Sequence, residues 1–302
     1  MATELTLPLP AAEQAYMDVS ALEAGHLRVA LNTVLADALP SEVQIFPSLA
    51  FSLRHSGSGT NVVFDLGIKR DIQAYPPGVH DRIAKFQFEP SVKQSVSESL
   101  AIGGIPPEEV DIVVLSHLHW DHVGDPSPFT TATFVVGGEC HDILTSGYPL
   151  NPLSLISSSS VPIDRTRFLS SLDFSTSIGP FPRACDYFGD GSMYIIDAPG
   201  HMAGHVTLLA RTSGDGSWIL LGGDAAHEFR LVTGEKQIAH RIDALGHVMC
   251  MHVNKEQAED TIRRMGLLLK IPRVQVLIAH DYVWYDANKG GSAFLPGVIP
   301  PL

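Results

Sequence analysis

The sequence predicts one domain of mixed α/β class, and three observations support this. A chain of 302 residues that is 45% hydrophobic and 18% charged can bury a large core, which excludes a disordered segment or a disulfide-stapled minidomain. Short β-type runs recur from the first fifty residues to the last thirty, alternating with a few helical runs and with loops rich in Gly, Pro and Ser. No internal repeat and no linker-like stretch divides them, so residues 1–302 are expected to form a single unit.

Taken in chain order, residues 43–54 and 61–65 read as two strands joined by the turn-forming SGSGT, a hairpin near the start. Residues 91–100 read as a helix that ends at Gly103 and Gly104. Residues 110–116 form a buried strand that runs into a histidine-rich loop. Further strands are expected at 133–136, 193–196, 206–211, 218–221 and 274–279. Asn254 caps a helix that extends to about Lys270, with Gln257 three residues on to complete a capping box. Residues 148–191, which include NPLSLISSSSVP, show little periodicity and read as an inserted loop or cap that shapes a pocket.

Composition narrows the function. Acidic residues outnumber basic ones by 33 to 20, for a formal net charge of -13, so a phosphate backbone is repelled and nucleic acid is not expected as a partner. Cys140, Cys185 and Cys250 contain no CxxC pair and suggest neither a disulfide framework nor a thiolate zinc site. The N-terminal residues lack the basic and apolar layout of a secretory signal, and no apolar run approaches a membrane span. A cytoplasmic protein with no membrane partner is expected, monomer or homodimer alike. The unusual count is histidine, at 14 residues, because imidazole is the commonest metal ligand.

The informative segment is SHLHWDHVGD, residues 116–125. It places His117, His119, Asp121 and His122 within six positions directly after an apolar strand. Alternation sends His117 and His119 in one direction, and a tight turn brings Asp121 and His122 round beside them, which gives two adjacent cation sites. Nitrogen and carboxylate donors without thiolate suit zinc first, with iron, manganese or cobalt as alternatives. Further donors follow predicted strands: His201 in APGH, Asp224 in GGDA and His280 in AHD. Strand ends hold side chains rigidly.

This pattern resembles the metallo-β-lactamase superfamily, whose signature is HxHxDH followed by a distant His, Asp and His. The likeness runs from VVFDLG, beginning at Val62, through His280. It implies a four-layered αββα sandwich with a dinuclear centre at one edge of the sheets. It also implies a first cation on His117, His119 and His201 and a second on Asp121, His122 and His280, with Asp224 bridging both. Asp65 matches the acidic residue that supports the metal loops from behind. In APGHMAGH the PGH element selects His201, and His205 becomes a supporting histidine.

Two cations that share a water lower its pKa and polarise a carbonyl, so the expected reaction is attack by a metal-bridging hydroxide, with Asp121 or Asp224 passing a proton to the leaving atom. No GxSxG nucleophile elbow is present. Within the superfamily, SHLHWDH and the His280–Asp281 pair are similar to the N-acyl homoserine lactonases, and the general layout is similar to fungal small-molecule hydrolases. The common zinc β-lactamases carry arginine at His122 and cysteine at Asp224, and the glutathione-binding, flavodoxin and nucleic-acid modules of other branches are not seen. Where the lactonases place a tyrosine, His227 stands three residues after Asp224 and is the candidate oxyanion donor, with Tyr282 as another. Trp120 and Tyr282 flank proposed ligands and are expected near the pocket. The expected function is opening of a lactone or lactam, with thioester hydrolysis or diiron redox chemistry as alternatives. His26, His55, His80, His141, His240, His247 and His252 have no spacing that implies chemistry.

Overall fold

The structure is a computed structural model that describes residues 5–302. Two six-stranded sheets pack face to face with helices outside, the expected αββα sandwich. The first sheet runs Met17–Leu22, Ala50–His55, Asn61–Phe64, Ile112–Val114, Thr133–Gly137 and Thr166–Leu169. Its first three strands are antiparallel, and the pairs from Asn61–Phe64 onward are parallel. The second sheet runs Thr176–Ile178, Phe181–Asp186, Met193–Asp197, Val206–Arg211, Trp218–Leu221 and Val274–Leu277. All its pairs are antiparallel except the last.

Period-2 alternation builds the layers. Val62, Phe64, Ile112 and Val114 meet Ile195, Leu208, Ile219 and Leu221 in the core between the sheets. The intervening Val63 and Val113 turn outward to Leu100 and Leu144, on helices Val96–Ile102 and Cys140–Thr145. On the other side Leu209 and Leu220 turn outward to Ile262, Met265 and Leu268 of helix Lys255–Leu268. Strands covered on both faces read as continuous apolar runs, and all six residues of Val206–Arg211 are buried. Arg211 is buried among them because its guanidinium lies 4.1 Å from the Trp218 ring centroid and donates to the Pro8 and Gly191 carbonyls.

Several elements depart from the sequence reading. Residues 43–54 are two strands in different sheets: Val43–Pro47 pairs with His26–Ala30 in a small three-stranded sheet, and Ala50–His55 joins the first sheet. Pro47 has no N–H to continue a ladder, and beyond it Ser48 N and Leu49 N donate to Gly25 O and Ala279 O instead. The SGSGT hairpin forms, with Arg54 opposite Asn61. The helix expected at 91–100 is Val96–Ile102, because Ser95 and Glu98 make a reciprocal capping box that sets its start. Asn254 accepts from Gln257 N at 3.1 Å, but its own N–H goes to Gly200 O, so half of that box forms. Helices Pro77–Phe86 and Tyr282–Asn288 were not anticipated.

Within 148–191, strands Thr166–Leu169, Thr176–Ile178 and Phe181–Asp186 extend the two sheets at their edges. Among the described residues no helix is long and apolar enough to cross a membrane.

Candidate metal centre

The parallel strands of both sheets deliver the polar loops to one edge. Asp65 follows Asn61–Phe64, His117 to His122 follow Ile112–Val114, and Asp224 and His280 follow the parallel pair Trp218–Leu221 and Val274–Leu277. Val206 N donates to Ser116 O at 2.8 Å and ties the two sheets together at this point. His117 and His119 lie in the extended loop, whereas Asp121 and His122 sit on a single helical turn, Trp120–Val123. Gly124 ends that turn at φ +44° and ψ -139°, which excludes a side chain: a Cβ there would stand 2.2 Å from Leu66 O.

Two groups of donors share Asp224, each with its ligand atoms within 4.8 Å of one another: His117, His119, His201 and Asp224 in one, and Asp121, His122, Asp224 and His280 in the other; a third, of His201, His227 and His252, adjoins the first. Asp224 belongs to both through different oxygens. Its Oδ2 lies 3.6 Å from His201 Nε2 and 3.9 Å from His117 Nε2, and its Oδ1 lies 3.2 Å from His122 Nε2 and 3.1 Å from His280 Nε2. His119 Nδ1 lies 2.9 Å from His117 Nε2 and 2.8 Å from His201 Nε2, and Asp121 Oδ2 lies 3.6 Å from His280 Nε2 and 3.8 Å from His122 Nε2. Among the described residues His122 Nε2 and Asp224 Oδ1 are fully buried and have no hydrogen-bond partner. Buried polar atoms are ordinarily satisfied, so these open lone pairs in the second group, and three imidazole nitrogens crowded against one another in the first, fit two cations.

Charge divides the two groups. Burial holds His117 and His201 well below the usual imidazole range, and burial with the nearby Arg82 charge takes His119 down to about 3. These are neutral imidazoles, the ligand form. Burial also acts on His122 and His280, but Asp224 and neighbouring carboxylates outweigh it and raise both. Desolvation would raise Asp224, yet His122, His280 and His227 hold it well below the carboxylate range.

A supporting shell fixes the donors. Asp65, at φ +62°, accepts from Ser116 N at 2.7 Å, from Ser116 Oγ at 2.7 Å and from His122 Nδ1 at 2.8 Å. His280 Nδ1 lies 2.7 Å from Pro47 O, and His205 Nε2 accepts from Asp224 N at 3.2 Å. These bonds place the metal-facing nitrogen of each ring and the backbone of Asp224. His227 Nε2 lies 3.3 Å from Asp224 Oδ2, beside the first group. Tyr282 stacks on Phe46 at 5.7 Å, and Phe46 in turn stacks on His280 at 5.6 Å. Trp120 packs edge-on against Tyr75, whose hydroxyl donates to Trp120 O at 2.6 Å.

The sequence reading missed three residues here. His252, which it set aside as incidental, is buried with both ring nitrogens unpartnered, 4.6 Å from the His227 ring and 5.2 Å from the His201 ring. Its loop is pinned to the His201 loop by Val253 N to His201 O and Asn254 N to Gly200 O. Arg82 and Met251 line the cavity beside the cluster, along with residues of the small sheet. No residue of 148–191 lines that cavity, whose free volume of about 40 Å³ holds a few waters. None of the three carried a motif, since Arg82 reaches the site from helix Pro77–Phe86 and Met251 and His252 from the loop before helix Lys255–Leu268, both far in sequence from the ligands.

Fold and site together define a two-sheet sandwich with His and Asp clusters suited to a dinuclear metal site. The chain belongs to the metallo-beta-lactamase superfamily, whose profile matches residues 45–215. It is 35% identical over 196 residues to the gamma-lactamase FDB1 of Fusarium pseudograminearum, which covers 61% of this chain and 46% of that protein. It is 36% identical over 178 residues to the gamma-lactamase MBL2 of Gibberella moniliformis, which covers 56% of this chain and 73% of that protein. Against the cytochrome P450 monooxygenase mpaDE' of Penicillium brevicompactum it is 33% identical over 63% of its own length, and it spans 23% of that protein. Among solved structures, a B. thuringiensis AiiA mutant with N-decanoyl-L-homoserine bound superimposes with a TM-score of 0.70 at 17% identity, covering 93% of this chain and 98% of that one. That likeness carries the fold.

Proposed function

We propose that the chain is a metal-dependent hydrolase that opens a cyclic ester or amide of a small organic molecule. The observation that carries this reading is Asp224, one carboxylate whose two oxygens face two separate donor groups. His117, His119 and His201 hold the first cation in this proposal, Asp121, His122 and His280 the second, and Asp224 both. Zinc suits these donors, with iron, manganese or cobalt able to replace it. When bound, two such ions lower the pKa of a shared water and polarise a substrate carbonyl. Asp121 and Asp224 are placed to move a proton to the leaving atom. His227, beside Asp224, donates a hydrogen bond to the developing oxyanion, where such a donor is worth about 10²–10³ in turnover. The apolar wall formed by Leu27, Val29, Phe46 and Phe88 receives the organic body of the substrate and limits water.

The relatives named as gamma-lactamases and N-acyl homoserine lactonases support this reaction class. The reading covers residues 1–302 as one domain in the cytoplasm, where a reducing environment keeps Cys140, Cys185 and Cys250 as free thiols. The test is a screen of lactones, lactams and thioesters with zinc-loaded protein. Lactone or lactam opening is expected, and His119→Ala or Asp224→Ala abolishes it with the fold retained. Activity confined to thioesters overturns the substrate class, and full activity in a metal-verified Asp224→Ala variant overturns the roles. His227→Phe is expected to lower turnover more than metal content.

A further inference from the structure

Arg82 stands in the cavity wall on helix Pro77–Phe86, the one cationic side chain among otherwise apolar residues and the histidine–aspartate cluster. Its guanidinium lies 5.1 Å from the Phe86 ring centroid and 3.9 Å from Met251 Sδ. Among the described residues it has no carboxylate within 4.0 Å, although Asp121 and His119 are close enough to feel its charge. The other inward-facing guanidiniums end differently. Arg165 donates to the Phe129 and Ala132 carbonyls, and Arg211 to the Pro8 and Gly191 carbonyls. Among the described residues the Met251 thioether is the only hydrogen-bond partner of this half-buried fork, so its remaining N–H donors are open to a ligand that displaces water.

A planar guanidinium matches a carboxylate in two parallel hydrogen bonds. Around it the wall is hydrocarbon, so a ligand that satisfies both must join an anionic group to an apolar body. On a chain of net charge -13, Arg82 is the one guanidinium or ammonium in the cavity wall, and it is the group there that attracts an anion.

We propose that Arg82 binds a carboxylate carried by the substrate, so that the preferred substrates are acid-bearing lactones or lactams with an apolar ring or chain. This rests on the hydrolytic reading above. The cavity as it stands holds only a few waters, and entry of such a molecule draws Arg82 off Met251 and widens the cavity.

The experiment pairs an aromatic-fused lactone that bears a carboxylate with its methyl ester, using metal-loaded wild type, R82M and R82K. In wild type the acid is preferred. In R82M the ratio of kcat/KM for acid over ester falls about tenfold or more, the loss of one charge-assisted contact, and the change lies in KM. R82K restores part of it, because its charge remains without the fork. A second readout is calorimetric binding of unreactive carbocyclic analogues with and without the carboxylate, in protein of verified metal content. Equal affinity of wild type for the two analogues, or an unchanged acid-to-ester ratio in R82M, overturns the proposal. If wild type opens neither lactone, the hydrolytic reading fails, and the binding pair still decides the role of Arg82.

Discussion

Replacing Asp65 by Asn tests whether the donor geometry depends on the residue behind it. The backbone is not at issue, because asparagine tolerates the φ of +62° found there. The amide oxygen can keep the 2.7 Å bond from Ser116 N, but the amide NH₂ then replaces the oxygen that accepts from Ser116 Oγ and from His122 Nδ1. The serine hydroxyl rotates to accept. The imidazole must instead present an unprotonated Nδ1, which moves its proton to Nε2, the nitrogen 3.2 Å from Asp224 Oδ1. A proton there occupies the lone pair that the second group needs. Losing one charge-assisted bond and weakening another costs about 2–4 kcal/mol of stability in metal-free protein. Second-site affinity falls about 10–100-fold, the usual effect of removing such a partner. Chemical denaturation of metal-free protein gives the first quantity, and competition against a fluorescent chelator gives the second. Second-ion affinity within twofold of wild type would refute the reasoning.

Two further predictions concern the frame around the site. Gly124→Ala places a Cβ 2.2 Å from the Leu66 carbonyl at φ +44°, so it destabilises the protein by about 3 kcal/mol or more; an unchanged denaturation midpoint contradicts this. Burial pushes the Cys140 thiol up to about 12 and raises Cys185 as well, so both stay protonated and unreactive at pH 8, where thiolate is the attacking form. Native protein treated with a disulfide reagent should show one fast thiol, the half-buried Cys250, with the other two appearing on denaturation; three fast thiols refute the burial assigned.

Much of the site was legible because its chemistry is written in short range. The HxHxDH run and the histidines and aspartates at strand ends are local patterns, and the structure brings His117, His119, Asp121, His122, His201, Asp224 and His280 together. Choosing His201 over His205 followed from the motif, and the geometry shows why both are present: one faces Asp224 Oδ2, and the other holds Asp224 N. Strands buried on both faces, such as Val206–Arg211, announced themselves as apolar runs. The half-buried edges did not. The strand His26–Ala30 alternates with partial exposure, and Val43–Pro47 passes from exposed Val43 and Ile45 to buried Phe46 and Pro47, so neither gave a clean signal to separate it from Ala50–His55. Arg82 and His252 were invisible for a different reason: the sheet edges and the loop pairing of Val253 with His201 carry them to the cluster, and no local spacing encodes those long-range contacts.

Elemental analysis of purified wild type and Asp224→Ala, loaded with zinc and freed of excess, tests the central claim directly. Wild type should return close to two ions per chain, and the variant one or fewer, because it lacks the carboxylate shared by both donor groups. Fewer than one ion in wild type, or two ions retained in Asp224→Ala, would contradict the account.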